Sequence, residues 1–310
     1  MILPLYRTKI GTLYLGDSKD ILKAKWLKTY RKKIQLIFTS PPFPLSQKKA
    51  YGNLDGQDYI DWLSDFGKIF KEMLAPNGSL IIEIGNAWVK GSPTMSLLPI
   101  ESLIELKKKG NFHLCQEFIC YNPSRLPSPV QWVNVERIRV KDSFTRLWWL
   151  STSTRPKADN RNVLVEYSAS MKRLLKNKRY NYGLRPSEHR IGKESFLKNN
   201  NGAIPSNVLV IPNTMSNDPY LKYCKDTNIK NHPARMPIEL AKFFINFLTD
   251  KEDIVLDPFA GSNITGYAAE ILNRRWRSIE KELVFALSSK SRFPNSWLLK
   301  EGIRRVKEIG

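Results

Sequence analysis

The residues Ser40-Pro41-Pro42-Phe43 combine a hydroxyl, a stiff backbone and an aromatic ring within four positions. The two prolines fix their own φ angles and bias the residues before them towards extended geometry. The Ser40 hydroxyl and the Pro41 carbonyl could accept hydrogen bonds from an amine while the Phe43 ring stacks on a flat ligand. A nucleobase turned out of its double helix would be such a ligand. Taken alone, the four residues fit a plain turn with a buried Phe43 at least as well.

A second candidate site is the loop Asp257-Pro258-Phe259-Ala260-Gly261-Ser262-Asn263, which lies between an apolar run and a predicted helix. Gly261 lets the backbone approach a ligand closely. An acidic residue, Glu280, ends the next predicted strand about 20 residues on, where nucleotide-binding α/β units bind ribose hydroxyls. The pair favours an adenosine-bearing cofactor. The alternative is a capped helix after a strand, with Glu280 simply exposed.

Both loops follow short apolar runs that predict buried strands, residues 33–38 and residues 254–256. Between them, helical spacing of apolar residues over 58–74 precedes another predicted strand, residues 79–85. Strand, helix and strand in this rhythm indicate a parallel sheet. Because ligands of such folds bind at the carboxyl ends of the strands, we expect both loops at one edge of one sheet.

The segment 155–228 differs in texture from the regular α/β patterns of 1–154 and 229–310. It is polar, weakly periodic and basic, and aromatic residues are interleaved with its basic ones. This composition favours contact with nucleic acid over a solvated linker, with lysine and arginine near phosphates and arginine as a candidate partner of guanine. Its candidate DNA-binding residues are Lys172, Arg173, Arg185 and Arg190.

Charge and composition limit the class of protein. Fifty Lys and Arg against 29 Asp and Glu give the 310 residues a formal net charge of +21. This favours a nucleic-acid partner, although a generally basic soluble surface would have the same charge. The three cysteines contain no CxxC pair and the three histidines do not cluster, so we expect no metal site. Without a signal-peptide pattern or a long apolar window, we expect no membrane span and a reducing, cytoplasmic compartment.

The two loops together resemble motif IV (Ser-Pro-Pro-Phe) and motif I (Asp-Pro-Phe-x-Gly-Ser) of the amino-methylating DNA methyltransferases of bacterial restriction–modification systems. Motif IV before motif I is the permuted order of the β group. Serine at the first position of motif IV, here Ser40, is typical of N4-cytosine enzymes, whereas Asp or Asn is typical of N6-adenine enzymes. The resemblance covers nearly the whole chain. Further similar segments are residues 50–54 (AYGNL), 122–129 (NPSRLPSP), 138–142 (IRVKD) and 232–235 (HPAR).

The resemblance implies roles for individual residues. Ser40, Pro41, Pro42 and Phe43 would hold and stack the target cytosine. His232-Pro233-Ala234 match motif X, and for His232 a structural role is expected rather than that of a general base. Asp17 falls where motif III carries an acid near the cofactor adenine. The residues expected to contact S-adenosylmethionine are Asp17, Asp257, Phe259, Gly261, Ser262, Asn263, Glu280, His232, Pro233 and Ala234.

The resemblance also implies a fold and an activity. The fold would be the Rossmann-like S-adenosylmethionine-dependent methyltransferase fold, with a mostly parallel seven-stranded sheet. Residues 1–154 would carry motifs III to VIII, 155–228 a target-recognition region, and 229–310 motifs X, I and II. The implied activity is site-specific methylation of the N4 amine of a flipped cytosine in double-stranded DNA.

Other interpretations stay open from the sequence. The same scaffold could methylate the N6 amine of adenine, could act on RNA, or could be a catalytically inactive DNA-binding relative. For the expected enzyme we predict a monomer or weak dimer, and a cognate restriction endonuclease that forms no stable complex with it.

Overall fold

Strands and helices alternate over most of the chain, as the rhythm of apolar runs predicts. A computed structural model describes residues 3–23, 25–44, 54–213, 217–299 and 303–304. Within these ranges the strands are β1 (Leu3–Arg7), β2 (Gly11–Leu15), β3 (Ile34–Thr39), β4 (Leu74–Ile84), β5 (Ala87–Trp88), β6 (Met95–Ser96), β7 (His113–Tyr121), β8 (Phe144–Ser151), β9 (Gly183–Leu184), β10 (Arg190–Ile191), β11 (Val208–Val210), β12 (Ile254–Asp257), β13 (Arg275–Glu280) and β14 (Trp297–Leu298). The helices are α1 (Ser18–Lys23), α2 (Lys25–Tyr30), α3 (Gly56–Ser64), α4 (Phe66–Met73), α5 (Leu98–Gly110), α6 (Ala169–Asn177), α7 (Pro219–Asp226), α8 (Ile238–Leu248), α9 (Ile264–Ile271) and α10 (Leu283–Ser289).

The main sheet has ten strands among the described residues, in the order β11-β7-β8-β4-β3-β12-β13-β2-β1-β14. The five central strands from β4 to β2 are parallel to one another, and antiparallel pairs flank them. The predicted mostly parallel α/β sheet is confirmed, but the predicted count of seven strands is wrong. Two of the additional strands, β11 and β14, lie at the edges and have only three and two residues. Such short segments carry no periodic signal in a sequence.

Both faces of the sheet are covered by helices. On one face, Leu36 and Phe38 of β3 pack in a cluster with Phe244 of α8. On the other face, Ile37 of β3 packs in a cluster with Phe70 of α4. Every residue of β3 is therefore buried, as in the doubly covered parallel sheets of α/β proteins. The strand ends are thus held by packing on two sides.

Neighbouring strands β4, β3, β12 and β13 end at the same edge of the sheet. Thr39 of β3 is paired with Ile82 of β4, and Asp257 of β12 is paired with Ser278 of β13. The loop after β3, the loop after β12 and the last residue of β13 therefore lie side by side, as expected for the carboxyl ends of parallel strands.

Residues 159–206 form a second compact unit, which contains α6 and the β9–β10 hairpin. The first unit comprises residues 1–158 and 207–310. The region 155–228 predicted for target recognition includes the second unit but extends beyond it, because β11 and α7 belong to the first unit. Among the described helices, none is both long enough and apolar enough to cross a membrane.

Candidate active site

A cavity of about 750 Å³ opens at the shared strand edge of the first unit. Thirteen of the fourteen residues predicted for catalysis or cofactor binding line it, so the two loops meet in one site as expected from the sequence. These thirteen are Asp17, Ser40, Pro41, Pro42, Phe43, His232, Pro233, Ala234, Asp257, Phe259, Gly261, Ser262 and Glu280.

Asn263 is the predicted residue that the structure does not bring to the cavity. Its side chain is fully buried in the protein interior, where Nδ2 donates to the Tyr6 hydroxyl at 2.9 Å and Oδ1 accepts from the Ser278 hydroxyl at 2.7 Å. With these bonds its carboxamide stabilises the start of α9 against β13. The sequence pattern alone does not distinguish this inward orientation from one towards a ligand.

Asp257 joins the two predicted loops. Its Oδ1 accepts a hydrogen bond from the Thr39 hydroxyl at 2.7 Å and another from the Phe259 backbone N–H at 3.0 Å. Burial raises the pKa of the Asp257 carboxyl, and these hydrogen bonds counter that effect. Since Thr39 directly precedes Ser40, the carboxylate links the end of β3 to the end of β12.

Glu280 holds the glycine turn of the second loop. Its carboxylate accepts from the Gly261 N–H at 2.7 Å and from the Glu282 N–H at 2.8 Å. Gly261 has φ +51°, a left-handed conformation that favours glycine. Burial raises the pKa of Glu280 to about 7. Each carboxylate oxygen can accept more than one hydrogen bond, so Glu280 can also bind hydroxyl groups of a ligand in the cavity.

His232 packs against this glycine turn. A Cβ atom at Gly261 would lie 3.0 Å from the imidazole, so the ring rests on the bare backbone. The ring also meets Phe285 edge to face at 4.7 Å, and the His232 N–H donates to the Tyr220 hydroxyl at 2.9 Å. These contacts support the structural role expected for His232.

Glu83 is a functional candidate that the sequence analysis did not single out. It is buried near the end of β4 and lines the cavity, where its carboxylate accepts hydrogen bonds from the Ser40 hydroxyl and, at 2.8 Å, from the Thr145 hydroxyl. Burial raises the pKa of Glu83. The signal in the sequence is a single acid inside the otherwise apolar run Leu80-Ile81-Ile82-Glu83-Ile84, beside a strand that ends in a candidate loop.

The Phe43 ring lies against Gly85, just after β4. A Cβ atom at Gly85 would stand only 2.6 Å from the Phe43 ring, so glycine is required for this packing. Cys120 also lines the cavity, and burial raises the pKa of its thiol to about 12. Its thiol therefore stays protonated and is a poor nucleophile. The chemistry offered here is hydrogen bonding and stacking.

Aromatic side chains form another wall of the cavity. Trp62 lies 5.4 Å from Phe259 and 5.7 Å from Tyr59 between ring centroids. The buried Tyr59 hydroxyl has no hydrogen-bond partner in the described part of the protein. An unpaired buried polar atom costs roughly 1–3 kcal/mol, which a ligand bonded to it would recover. Together with Glu280, this wall fits a ligand that has a flat ring system and polar substituents.

A family model described as DNA methylase matches residues 34–290. The chain belongs to the N6/N4 DNA methylase family. The methylase is 43% identical over 305 residues to the type II methyltransferase M.PvuII of Proteus hauseri. The matched residues make up 98% of this chain and 89% of the relative. The family resemblance of the sequence is thereby confirmed.

Solved structures agree with the fold of this methylase. A structure named PvuII DNA methyltransferase (cytosine-N4-specific) matches with a TM-score of 0.75 and 37% identity, over 98% of this chain and 94% of that one. TTHA0409 of Thermus thermophilus, solved in complex with S-adenosyl-L-methionine, has a TM-score of 0.56 and 19% identity, over 91% and 92% of the two chains. At that identity the second likeness concerns the fold alone.

The predicted DNA-binding residues of the methylase lie in its second unit. Lys172 and Arg173 are exposed on α6, and Lys172 pairs with the Glu166 carboxylate. Arg185 is half-buried and donates to the Asn181 carbonyl at 2.7 Å, while Arg190 is exposed on β10. Their role in DNA binding stays a prediction.

Two further predictions from the sequence concern the similar segment 50–54 and metal binding. Of the similar segment 50–54, only Leu54 is among the described residues, where it lines the cavity, and residues 50–53 lie outside them. Among the described residues, no group of three or more His, Cys, Asp or Glu side chains is arranged to hold a metal ion.

Proposed function

We propose that this methylase transfers a methyl group from S-adenosylmethionine to the N4 amine of a flipped cytosine at specific sites in double-stranded DNA. The observation that carries the proposal is the pair of strand-end sites in one cavity, with Ser40 on Glu83 at one end and Gly261 on Glu280 at the other. The N4-cytosine specificity is supported by serine at position 40 and by the name of the 37% identical solved structure.

S-adenosylmethionine supplies an electrophilic methyl group on a sulfonium sulfur. Glu280 is suited to the ribose hydroxyls, because its buried carboxylate has acceptor capacity beyond its two backbone bonds. The aromatic wall and the Tyr59 hydroxyl, which has no partner among the described residues, fit the flat adenosine part of the molecule. Asp17 and the turn Gly261-Ser262 also line the cavity.

The N4 amine of cytosine is a weak nucleophile, because its lone pair is conjugated with the ring. The Ser40 hydroxyl donates a hydrogen bond to the Glu83 carboxylate, so the lone pairs of the Ser40 oxygen are free to accept from the amine. A second hydrogen bond to the Pro41 carbonyl would draw the nitrogen towards tetrahedral geometry. Its lone pair would then point at the methyl carbon, and orientation would supply most of the rate.

In the transfer the amine nitrogen would bond to the methyl carbon, while the carbon–sulfur bond would break and its electron pair would stay on sulfur. The nitrogen becomes positively charged and must then lose a proton. Ser40 would accept that proton while its own hydroxyl proton passes to Glu83. Burial raises the pKa of Glu83, which makes its carboxylate a better proton acceptor.

The remaining parts of the proposal concern partners. Lys172 and Arg173 would contact phosphates, and Arg185 and Arg190 would contact guanines. The likeness to a type II methyltransferase supports a role in restriction–modification, with a nuclease that acts on the same sequence without a stable complex. Such a role requires access to host DNA and therefore a cytoplasmic location, and a monomer or weak dimer is sufficient for it.

Expression in a host that lacks DNA methylation would test the function. Methylome sequencing and mass spectrometry of digested DNA should find N4-methylcytosine in one sequence context. N6-methyladenine in its place would contradict the assignment based on Ser40. If the protein binds S-adenosylmethionine and modifies no DNA, it is an inactive relative, and a methyl group found only in RNA would assign it to another substrate.

A further inference from the structure

The exposed apolar side chains of this protein are concentrated in one part of the first unit. Two segments, residues 87–97 and residues 122–142, contain eight of the 24 large apolar residues that are exposed in the described part of the chain. We call these two segments the rim surface. Large exposed apolar patches mark sites of interaction. The eight residues are Val89, Met95, Leu97, Leu126, Val130, Val135, Ile138 and Val140.

The rim surface begins at the cavity. Asn122 and Arg125 line the cavity. The two ends of the segment 122–142 lie close together, because the Asn122 N–H donates to the Ser143 carbonyl at 2.8 Å. The Lys141 ammonium donates to the Arg125 carbonyl at 3.2 Å. The neighbours of this bonded pair, Leu126 and Val140, are the two most exposed large apolar residues among the described ones, at 80% and 88%.

Specific contacts hold the two segments against each other. The Arg139 guanidinium lies 3.7 Å from the centre of the Trp88 ring and also donates to the Pro93 carbonyl. Trp88 meets Trp132 edge to face at 6.5 Å. Besides the π-helical turn Gln131–Val135, residues 122–142 have no regular secondary structure, and a loop of this length is uncommon unless it has a function. Its backbone is supported from within, while its apolar side chains project into solvent.

The charge of the rim surface identifies a partner. It carries five basic residues, Lys90, Arg125, Arg137, Arg139 and Lys141, against two acidic ones. Of the acidic residues, Glu136 accepts from the Gln131 carboxamide and Asp142 from the Asn86 carboxamide. Apolar side chains among cations are the composition with which proteins enter a DNA duplex, where cations contact phosphates and an apolar wedge fills a gap between bases.

We propose that the rim surface contacts the DNA duplex at the flipped cytosine, and that Leu126 and Val140 pack into the space that this base leaves. The inference rests on the proposed function. Arg125 lines the cavity, and Leu126 is the next residue in the chain. When the cytosine enters the cavity, the gap that it leaves in the duplex would therefore lie beside Leu126 and Val140. A second copy of the chain is a poorer occupant, because it would obstruct the cavity mouth and would bring like charges together.

The test uses short duplexes that contain the recognition sequence found by methylome sequencing. The double variant Leu126→Ser/Val140→Ser removes the wedge and, since both side chains are exposed, leaves the core unchanged. On a fully paired duplex we expect kcat/KM to fall about tenfold, because nothing then offsets the lost stacking. On a duplex with an abasic site opposite the cytosine, the variant should approach wild type, because the base is already unpaired.

The matched control is Leu114→Ser. Leu114 is also exposed, at 47%, but it lies near the start of β7, at the opposite sheet edge from the cavity. This variant should methylate both duplexes like wild type. Wild-type rates for the double variant on the paired duplex, or an equal loss on both duplexes, would overturn the proposal. The proposal would also be overturned if wild type sedimented as a dimer and the double variant sedimented as a monomer. If wild type methylates neither duplex, the proposed function fails instead.

Discussion

The two units of this protein differ in how they are built. The first unit has two hydrophobic clusters, one on each face of its sheet, and the cavity lies at the edge between them. In the second unit, residues 159–206, only Gly202 is buried among the described residues, and α6 has no buried side chain. This unit has ten Lys or Arg against four Asp or Glu, a net charge of +6 in 48 residues.

The difference follows from what each unit must do. Methyl transfer depends on orientation, and misplacement by about 1 Å can cost roughly a hundredfold in rate, so the catalytic groups need a packed support. Phosphate contact depends on charge and tolerates a loosely packed surface, which can gain order from its partner. We therefore expect substitutions in the core and the cavity of the first unit to affect stability and turnover, and those in the second unit to affect DNA affinity.

The largest expected effect is on stability. Phe244 is fully buried and packs on Phe118 and Phe38 at 5.0 and 5.5 Å between ring centroids. Phe244→Ala should lower the free energy of unfolding by about 3–5 kcal/mol. Leu174→Ala in the half-buried face of α6 should cost less than about 1 kcal/mol. Urea denaturation would compare them, and equal costs would show that the second unit has a core of its own.

Ser40→Ala should have the next largest effect. Without the Ser40 hydroxyl, the cytosine amine loses a hydrogen-bond acceptor and its proton loses the route to Glu83. We therefore expect kcat to fall about a hundredfold or more. Affinity for S-adenosylmethionine should persist, because Glu280 and Gly261 are unchanged. Transfer of a tritiated methyl group measures the first quantity and calorimetry the second. Turnover close to wild type would remove Ser40 from the mechanism.

Glu280→Gln should weaken S-adenosylmethionine binding by about tenfold to a hundredfold, since hydrogen bonds to a charged group contribute roughly 1.5–3 kcal/mol. Glu252→Gln, which alters an exposed ion pair with Arg275, serves as the control and should bind normally. Calorimetric titration measures both affinities. An unchanged affinity in Glu280→Gln would contradict the ribose assignment.

The pKa of Glu280 makes this binding depend on pH. The raised pKa of about 7 means that the carboxyl is protonated below pH 7 and ionised above it. Wild-type affinity should therefore increase as pH rises through about 7, and Glu280→Gln should lack this step. The difference between the two proteins separates the titration of Glu280 from that of the ligand's own amine.

The pKa of Glu280 also makes stability depend on pH. The native carboxyl binds its proton more tightly than the unfolded chain does, so its contribution to stability is present at low pH and is lost as pH rises through about 7.

The smallest effect should come from the charges of the second unit. Lys172→Gln/Arg173→Gln should lower the slope of log affinity for DNA against log salt by about 1 for each phosphate that the variant no longer neutralises. Lys107→Gln/Lys108→Gln, at the end of α5 on the sheet edge away from the cavity, is the control for net charge. Fluorescence anisotropy at several salt concentrations measures the slope. Equal slopes in the two variants would remove Lys172 and Arg173 from the DNA interface.

The parts of the site that sequence could predict are those in which neighbours in the chain act together. Ser40-Pro41-Pro42-Phe43 and the loop 257–263 are continuous, each follows an apolar strand, and all but Asn263 line the cavity. Glu83 and Tyr59 were not predicted, because each has its role only through packing. Glu83 lies beside Ser40 since β4 pairs with β3. The Tyr59 hydroxyl is of interest because it is buried without a hydrogen-bond partner among the described residues.

The sequence by itself determined the family, the parallel strand rhythm and the two loops that meet at the strand ends, because these depend on local propensity and on motifs of adjacent residues. Tertiary structure decided the partners across the sheet: Thr39 with Asp257, Ser40 with Glu83, and Glu280 with Gly261. It also decided that Asn263 faces the interior and that Leu126 and Val140 are exposed. A side chain's direction and burial depend on which distant segments pack against it, and one-dimensional spacing does not contain that information.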